Sequence, residues 1–226
     1  MQGCATYTTP GGPISIPAIT ETSVADALAR EPAASFPARV IIARVQAAGY
    51  RSHTNRGYGS GNYSVLTTRD MEQEADFQRI ATLPGVGDVG TLSRVLLPSR
   101  LQSTEDLRAA AAQLRGDVVL MYTLDTAFET DTRRLGPLQV VGLGFFPNKS
   151  SIVSTTCAAA FIDVRTGFVY GVAETTATET QRSNVWNTRS AIDSARLLAE
   201  REAFESALDE IEELWGEVYV QYGAAP

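Results

Sequence analysis

Few residues in this 226-residue chain could carry nucleophilic or metal chemistry. His53 is the only imidazole, and Cys4 and Cys157 are the only thiols. A Ser-His or Cys-His mechanism would need His53, but Arg51 and Arg56 lie beside it in sequence and disfavour an imidazolium. Zinc takes mainly His and Cys ligands, and these are scarce here. We therefore predict no catalytic residue and no metal site, although the 26 acids leave a carboxylate pair open.

Two glycine-rich segments invite comparison with nucleotide-binding loops. Residues 85–90 read Gly-Val-Gly-Asp-Val-Gly, which matches the spacing G-x-G-x-x-G. A dinucleotide site needs this loop to leave a strand and begin a helix, so that the pyrophosphate meets the helix amino end. Here the segment follows the predicted end of a helix at Pro84 and leads to a strand. The glycines of residues 57–61 lack the Lys-Ser/Thr of a phosphate loop, so we expect no cofactor.

The segment from residue 49 to residue 62 is rich in glycine and has tyrosines at its edges, which favours an exposed loop. Loops often carry binding residues, and tyrosine rings are frequent anchors of protein interfaces. We predict partner contacts by Tyr50, His53, Tyr58 and Tyr63. The alternatives are a solvated loop, or a small-ligand pocket beneath it.

A second candidate surface lies in the predicted C-terminal helix. Residues 200–217 hold eight acids and a single base, Arg201. Acids near the carboxyl end of a helix oppose its macrodipole, so the cluster indicates either a solvated face or a docking surface for a basic partner. The candidate contacts are Glu205, Asp209, Glu212 and Glu213.

The first twenty residues read as a linker behind a modified cysteine. Cys4 follows the small residue Gly3, and residues 6–17 are rich in Thr, Pro, Gly and Ser. This arrangement resembles the end of a bacterial lipoprotein signal, in which the cysteine receives the lipid. We predict lipidation of Cys4 and burial of Cys157 as a small apolar residue. A Cys4–Cys157 disulfide, or an unmodified cytoplasmic chain, is the alternative.

The composition of the chain indicates which classes of partner it can bind. The chain is 44% hydrophobic and 20% charged, which is typical of a globular protein. Its net charge of −7 repels a phosphate backbone, so we expect no nucleic acid partner. No apolar run is long enough for a membrane-spanning helix, which leaves the lipid on Cys4 as the predicted membrane attachment.

Hydrophobic periodicity, together with capping and turn residues, predicts the helices and strands that position these residues. This pattern predicts an α/β (α+β) domain over residues 21–226 behind a flexible linker of residues 1–20. Its mixed sheet has the order β-β-α-β-α-β-β-β-α, with helices packed on the sheet and a long C-terminal helix. The predicted helices cover residues 70–83, 103–115 and 188–215, after a short helix over 23–30 that precedes this order. Strands are predicted at 39–46, 63–67, 92–97, 117–126, 138–146, 152–164 and 168–178, which is one strand more than the order contains.

The element order, the linker and two local passages resemble a superfamily of bacterial envelope lipoproteins. Its members include CsgG-type curli secretion components, LpoB-type activators of penicillin-binding proteins and the amino-terminal domain of TolB-like proteins. The passages are Leu-Arg-Gly-Asp-Val-Val-Leu at 114–120 and Phe-Ile-Asp-Val-Arg-Thr-Gly at 161–167. A pore-forming member would carry long amphipathic hairpins, whereas the candidate at Gly136–Thr156 is short and interrupted by Pro147 and Lys149.

The resemblance implies a non-enzymatic adaptor or assembly protein at the periplasmic face of the bacterial outer membrane. It would be anchored by its lipid and would act by binding an envelope protein or by self-assembly. The alternative classes are a hydrolase that uses acidic residues, which needs a cleft with convergent carboxylates, and a small-ligand-binding periplasmic domain.

Overall fold

Strand β1 (Ala38–Ala47) lies in the interior of the sheet, close to the predicted position. Its run of β-branched residues is almost entirely buried, as expected for a strand with a helix layer on each face. It pairs in parallel with β6 (Val118–Thr132) on one side. On the other side it pairs in parallel with β4 (Val86–Thr91) and antiparallel with β3 (Tyr63–Leu66).

The structure is a computed structural model that describes residues 13–20, 23–52, 55–132, 149–183 and 188–223. It confirms a mixed sheet with packed helices and a long C-terminal helix. The remaining elements are β2 (Ser60–Gly61), β5 (Arg100–Leu101), β7 (Lys149–Asp163), β8 (Val169–Ser183), α1 (Val24–Leu28), α2 (Glu74–Ala81), α3 (Thr104–Gln113) and α4 (Thr188–Val218). The spatial order of the sheet is β3-β1-β6-β7-β8, with β4 also on β1. Two short strands that the sequence did not predict, β2 and β5, pair with each other.

Helices cover both faces of the sheet. Helices α2 and α4 pack on one face, where Phe204, Ile211 and Trp215 of α4 are fully buried. Helix α3 packs on the other face through Leu107 and two alanines. The indole Nε1 of Trp215 donates to the carbonyl of Pro84 at 2.8 Å, which fixes the end of α4 over the sheet.

The third predicted strand is displaced in the structure. The strand is β4, which contains the glycine-rich segment, whereas the predicted segment 92–97 forms only a 3-10 turn at Arg94–Leu96. The glycines suit close pairing with β1, because a Cβ at Gly87 would lie 3.3 Å from Pro37 Cβ and one at Gly90 would lie 3.0 Å from Ile41 Cδ1. Packing against β1 therefore outweighs the weak strand propensity of glycine.

Helix α2 begins at Glu74 rather than at the predicted Asp70. A capping box of Gln73 and Asp76 defines its start. The residues before it are held out of the helix, because the carboxylates of Asp70 and Glu72 bond to Arg44 in the core.

The hairpin predicted around residues 163–167 is confirmed, and Gly167 has a φ of 71°, as a tight turn requires. The predicted strand at 138–146 lies outside the described residues. Of the candidate hairpin Gly136–Thr156, the part from Lys149 onward belongs to β7.

Part of the predicted linker packs on the domain. Ile19 is 1% exposed and joins the core beneath α3. Ile14 is half-buried, and its backbone N–H lies 3.4 Å from Thr123 Oγ1. Residues 13–19, which we call the arm, thus cross one face of the sheet.

Among the described helices, none is both long and apolar enough to span a bilayer.

Candidate functional site

A buried charge cluster surrounds Arg44 at the carboxyl end of β1. Arg44 Nη1 lies 2.7 Å from Asp70 Oδ1 and 3.0 Å from Glu72 Oε1, and Nη2 lies 3.2 Å from Glu200 Oε2. Arg196 Nη1 donates to the same Glu200 oxygen at 2.8 Å. The cluster therefore joins the sheet, the segment before α2 and helix α4.

The electrostatics of the cluster keep Arg44 charged. Burial would lower the pKa of the guanidinium, but the carboxylates of Glu72 and Glu200 raise it above its usual range. Tyr122 donates its hydroxyl to Glu72 Oε1 at 2.6 Å, and burial together with this carboxylate raises the pKa of the phenol. No nucleophile is activated by these shifts.

The cavity beside Arg44 is small. Its volume is about 40 Å³, and Glu72, Phe77 and Tyr122 are among its lining residues. This is room for a few water molecules rather than for an organic substrate. The three acids around Arg44 are all bonded to it, which suits a structural network better than acid-base catalysis.

The predicted recognition loop is folded onto the core. Tyr50 and Tyr63 are 2% and 0% exposed, and Tyr63 donates its hydroxyl to the carbonyl of Ser103 at 2.8 Å. Tyr58 is half-buried, and its hydroxyl lies 3.4 Å from the carbonyl of Leu97. His53 lies outside the described residues. Burial of Tyr50 and Tyr63 removes these two rings from the surface, which corrects our expectation that they face a partner.

The predicted acids of α4 divide into two groups. Glu205 accepts from Arg201 Nε at 2.7 Å, while Asp209 and Glu212 accept from Arg79 of α2, each at 2.7 Å. These hydrogen bonds raise the pKa of Arg79, with Glu212 the larger cause. Asp209 and Glu212 thus join α4 to α2, Glu205 pairs within α4, and Glu213 is exposed.

The sheet ends in a long open edge at β8. Its residues pair with β7 on one side, and no other described strand pairs with them. Two apolar side chains near its start are exposed, Val169 by 37% and Val172 by 67%. The strand contains neither lysine nor proline, which commonly protect such edges. We call the outer side of residues 169–178 the β8 edge.

Helix α4 runs antiparallel to β8 above this edge. Leu214 packs directly over Gly171, and Thr175 Oγ1 donates to the carbonyl of Ala203 at 3.0 Å. The opposite flank of α4 faces α2, because Asp209 and Glu212 reach Arg79.

At 100° per residue, exposed Glu210 and Glu217 lie about 40° and 60° around α4 from Leu214, on the side toward β8. Exposed Glu213 lies about 40° from Asp209 and projects to solvent between the two flanks. We call Glu210, Glu213 and Glu217 together the acid row. Of these three acids, only Glu213 is among the contacts predicted from the sequence, because only the contacts to α2 and β8 distinguish one flank from the other.

The structure describes one of the two cysteines. Cys157 is a free thiol with no exposed surface, and burial raises its pKa to about 12, so the prediction of a buried apolar role is confirmed. Cys4 lies outside the described residues, and its lipidation stays a prediction.

No protein-family model and no curated protein matches this sequence. Solved structures give distant likenesses. A homologue of a neuraminyllactose-binding hemagglutinin from Helicobacter pylori has a TM-score of 0.43 and 8% identity, over 86% of this chain and 94% of that chain.

Two further likenesses are to lipoproteins. One from Neisseria meningitidis has a TM-score of 0.31 and 11% identity, over 70% of this chain and 94% of that chain. A candidate lipoprotein from Caulobacter crescentus has a TM-score of 0.29 and 16% identity, over 51% and 77%. Because these scores are low, we draw neither family nor function from them.

Proposed function

We propose that this protein is a lipid-anchored, non-enzymatic component of the bacterial envelope that binds a protein partner. The open β8 edge carries the binding part of the proposal, because unpaired strand edges are ready templates for another chain. The Gly3-Cys4 pair and the polar stretch behind it support the anchor and a place at the periplasmic face of the outer membrane.

The anchor is tested in full-length protein expressed in a bacterial host that processes lipoproteins. We expect palmitate labelling and membrane fractionation of the parent chain, and loss of both in Cys4→Ala. Cys157→Ser is the matched control, because this buried thiol should not accept lipid. Unlabelled parent protein, or label that follows Cys157, would overturn the anchor.

The binding role is tested by photocrosslinking in the same cells. A photoreactive residue at Val172 should yield a discrete protein adduct, because this position lies on the β8 edge. Val95 is the control position, since it is 90% exposed and lies in the turn between β4 and β5. Absence of adducts at both positions, or the same adducts at both, contradicts specific binding at the edge.

A further inference from the structure

We infer that the β8 edge binds an extended, positively charged segment of a protein partner, which adds a strand to the sheet. The inference rests on the proposed binding function and names the class of ligand. The observations that carry it are the unpaired strand, the exposed valines beside it and the acid row above it.

The edge offers backbone hydrogen bonds to an incoming strand. An added strand would lie about 4.8 Å from β8 and would use the N–H and C=O groups that β7 does not. Side chains of an extended segment alternate between the two faces of the sheet, so the partner would present two different surfaces.

The two faces beside the edge differ in chemistry. On the α4 side, Ala173 and Ala177 of β8 are buried beneath the helix, and the acid row lies on the flank of that helix. On the opposite side, Val172 and Glu174 are both exposed. A strand in which basic residues face α4 and apolar residues lie beside Val172 complements both faces.

The acid row also decides against a second copy of this chain. Pairing β8 with its own symmetry mate would bring two acid rows toward one edge, and like charges there are repulsive. The basic residues near this part of α4 are already engaged, because Arg79 and Arg201 bond to acids on the α2 flank. A basic segment from another protein therefore fits better than self-pairing.

The test uses the full chain with Cys4→Ala and two synthetic peptides. One alternates lysine with valine, and the other alternates glutamate with valine. We expect the lysine peptide to bind with an affinity that falls as salt rises, and the glutamate peptide not to bind. Titration calorimetry measures the affinity, and amide hydrogen exchange followed by NMR locates the peptide, with new protection expected within residues 169–178.

A charge variant tests the acid row. Glu210→Gln, Glu213→Gln and Glu217→Gln together should weaken binding of the lysine peptide about fivefold, because three exposed charge pairs are lost and each is weak. The matched control changes three exposed acids elsewhere, Glu31→Gln, Glu105→Gln and Asp125→Asn, and should bind as the parent does.

Each other outcome overturns the inference. Peptide binding without protection of β8 amides would mean that the binding site lies away from the edge. Equal weakening of peptide binding by both triple variants would mean that the net charge of the protein, and not the acid row, attracts the peptide. Protection of β8 by a concentration-dependent dimer in the absence of peptide would make a second copy the occupant. Lipidation of Cys4 and the Val172 adduct are measured separately, so the proposed function can stand if this inference fails.

Discussion

At the scale of single residues, Arg44 balances three buried carboxylates. Its side chain is 2% exposed, and those of Glu72 and Glu200 are equally buried. Removing one member of such a network leaves uncompensated charge in the core, which costs more than the intact pairs contribute. Arg44 is therefore a position where substitution should strongly affect stability.

We predict that Arg44→Met lowers the free energy of unfolding by about 3–5 kcal/mol. Arg79→Met is the control, because its ion pairs are partly exposed and each contributes about 1 kcal/mol or less. Urea denaturation followed by circular dichroism measures both. Similar losses in the two variants would contradict the assignment of Arg44 to the core network.

Asp163 is a buried carboxylate that organises the β7–β8 turn. It accepts from the backbone N–H groups of Ala33, Arg165 and Thr166 and from the Tyr170 hydroxyl, at 2.6 to 3.0 Å. Burial alone would raise its pKa, but these hydrogen bonds outweigh burial and hold the pKa below its usual range. The charged form thus stabilises the fold.

The pH dependence has a definite sign. Because the folded-state pKa lies below the unfolded value of about 3.9, the stabilisation is present above that pH and is lost as pH falls through the folded-state pKa. We expect Asp163→Asn to cost about 1–3 kcal/mol at neutral pH, and the difference from the parent to shrink below about pH 4. Urea titrations from acid to neutral pH measure it, with exposed Asp125→Asn as control. A difference that stays constant into acid would count against the charged hydrogen bonds.

At the scale of elements, local capping explains where helix α3 begins. Ser103 and Asp106 form a capping box, and the helix buries Leu107 and Ala110 against the sheet. Helix α1 is also capped, by Ser23, but buries none of its residues. The two caps have similar chemistry in different tertiary settings.

We predict that Ser103→Ala lowers the free energy of unfolding by about 1 kcal/mol. Ser23→Ala should change it by less than about 0.5 kcal/mol, because local melting of α1 exposes no core. Chemical denaturation of both variants provides the comparison. A larger effect at Ser23 than at Ser103 would mean that α1 packs on a surface outside the described residues.

At the scale of the whole molecule, the arm makes the domain larger than the sequence predicted. Burial of Ile19 beneath α3 ties residues 13–19 to the same core as the sheet. The stretch between Cys4 and Ile14 can extend by at most about 35 Å, so a lipid on Cys4 would hold the domain close to the membrane.

We expect Ile19→Ala to lower the free energy of unfolding by about 2–5 kcal/mol, as for other buried isoleucines. Val95→Ala is the control, since this side chain is 90% exposed. Thermal and urea unfolding of both variants, in the Cys4→Ala background, make the measurement. An unchanged free energy of unfolding in Ile19→Ala would mean that the arm belongs to the linker and not to the folded domain.

The sequence by itself determined most element types, because their signals are local. The β-branched run of β1, the cap at Ser103 and the turn at Gly167 each depend on neighbours within a few residues, and each is confirmed. Cys157 was predicted as buried from its apolar surroundings in sequence. The displaced β4 shows the limit, because its glycines become a strand only where β1 lies beside them.

Only the tertiary structure decided which residues face a partner. Tyr50 and Tyr63 belong to a segment with the composition of a recognition loop, yet both are buried, and Tyr63 shares a core cluster with Leu107 of α3. Arg44 meets Glu200 across 156 positions of sequence, a distance over which no periodicity gives information. Both flanks of α4 carry acidic residues, so the sequence does not tell them apart. Their surroundings differ in the structure, because one flank lies against α2 and the other lies on the side of the open β8 edge.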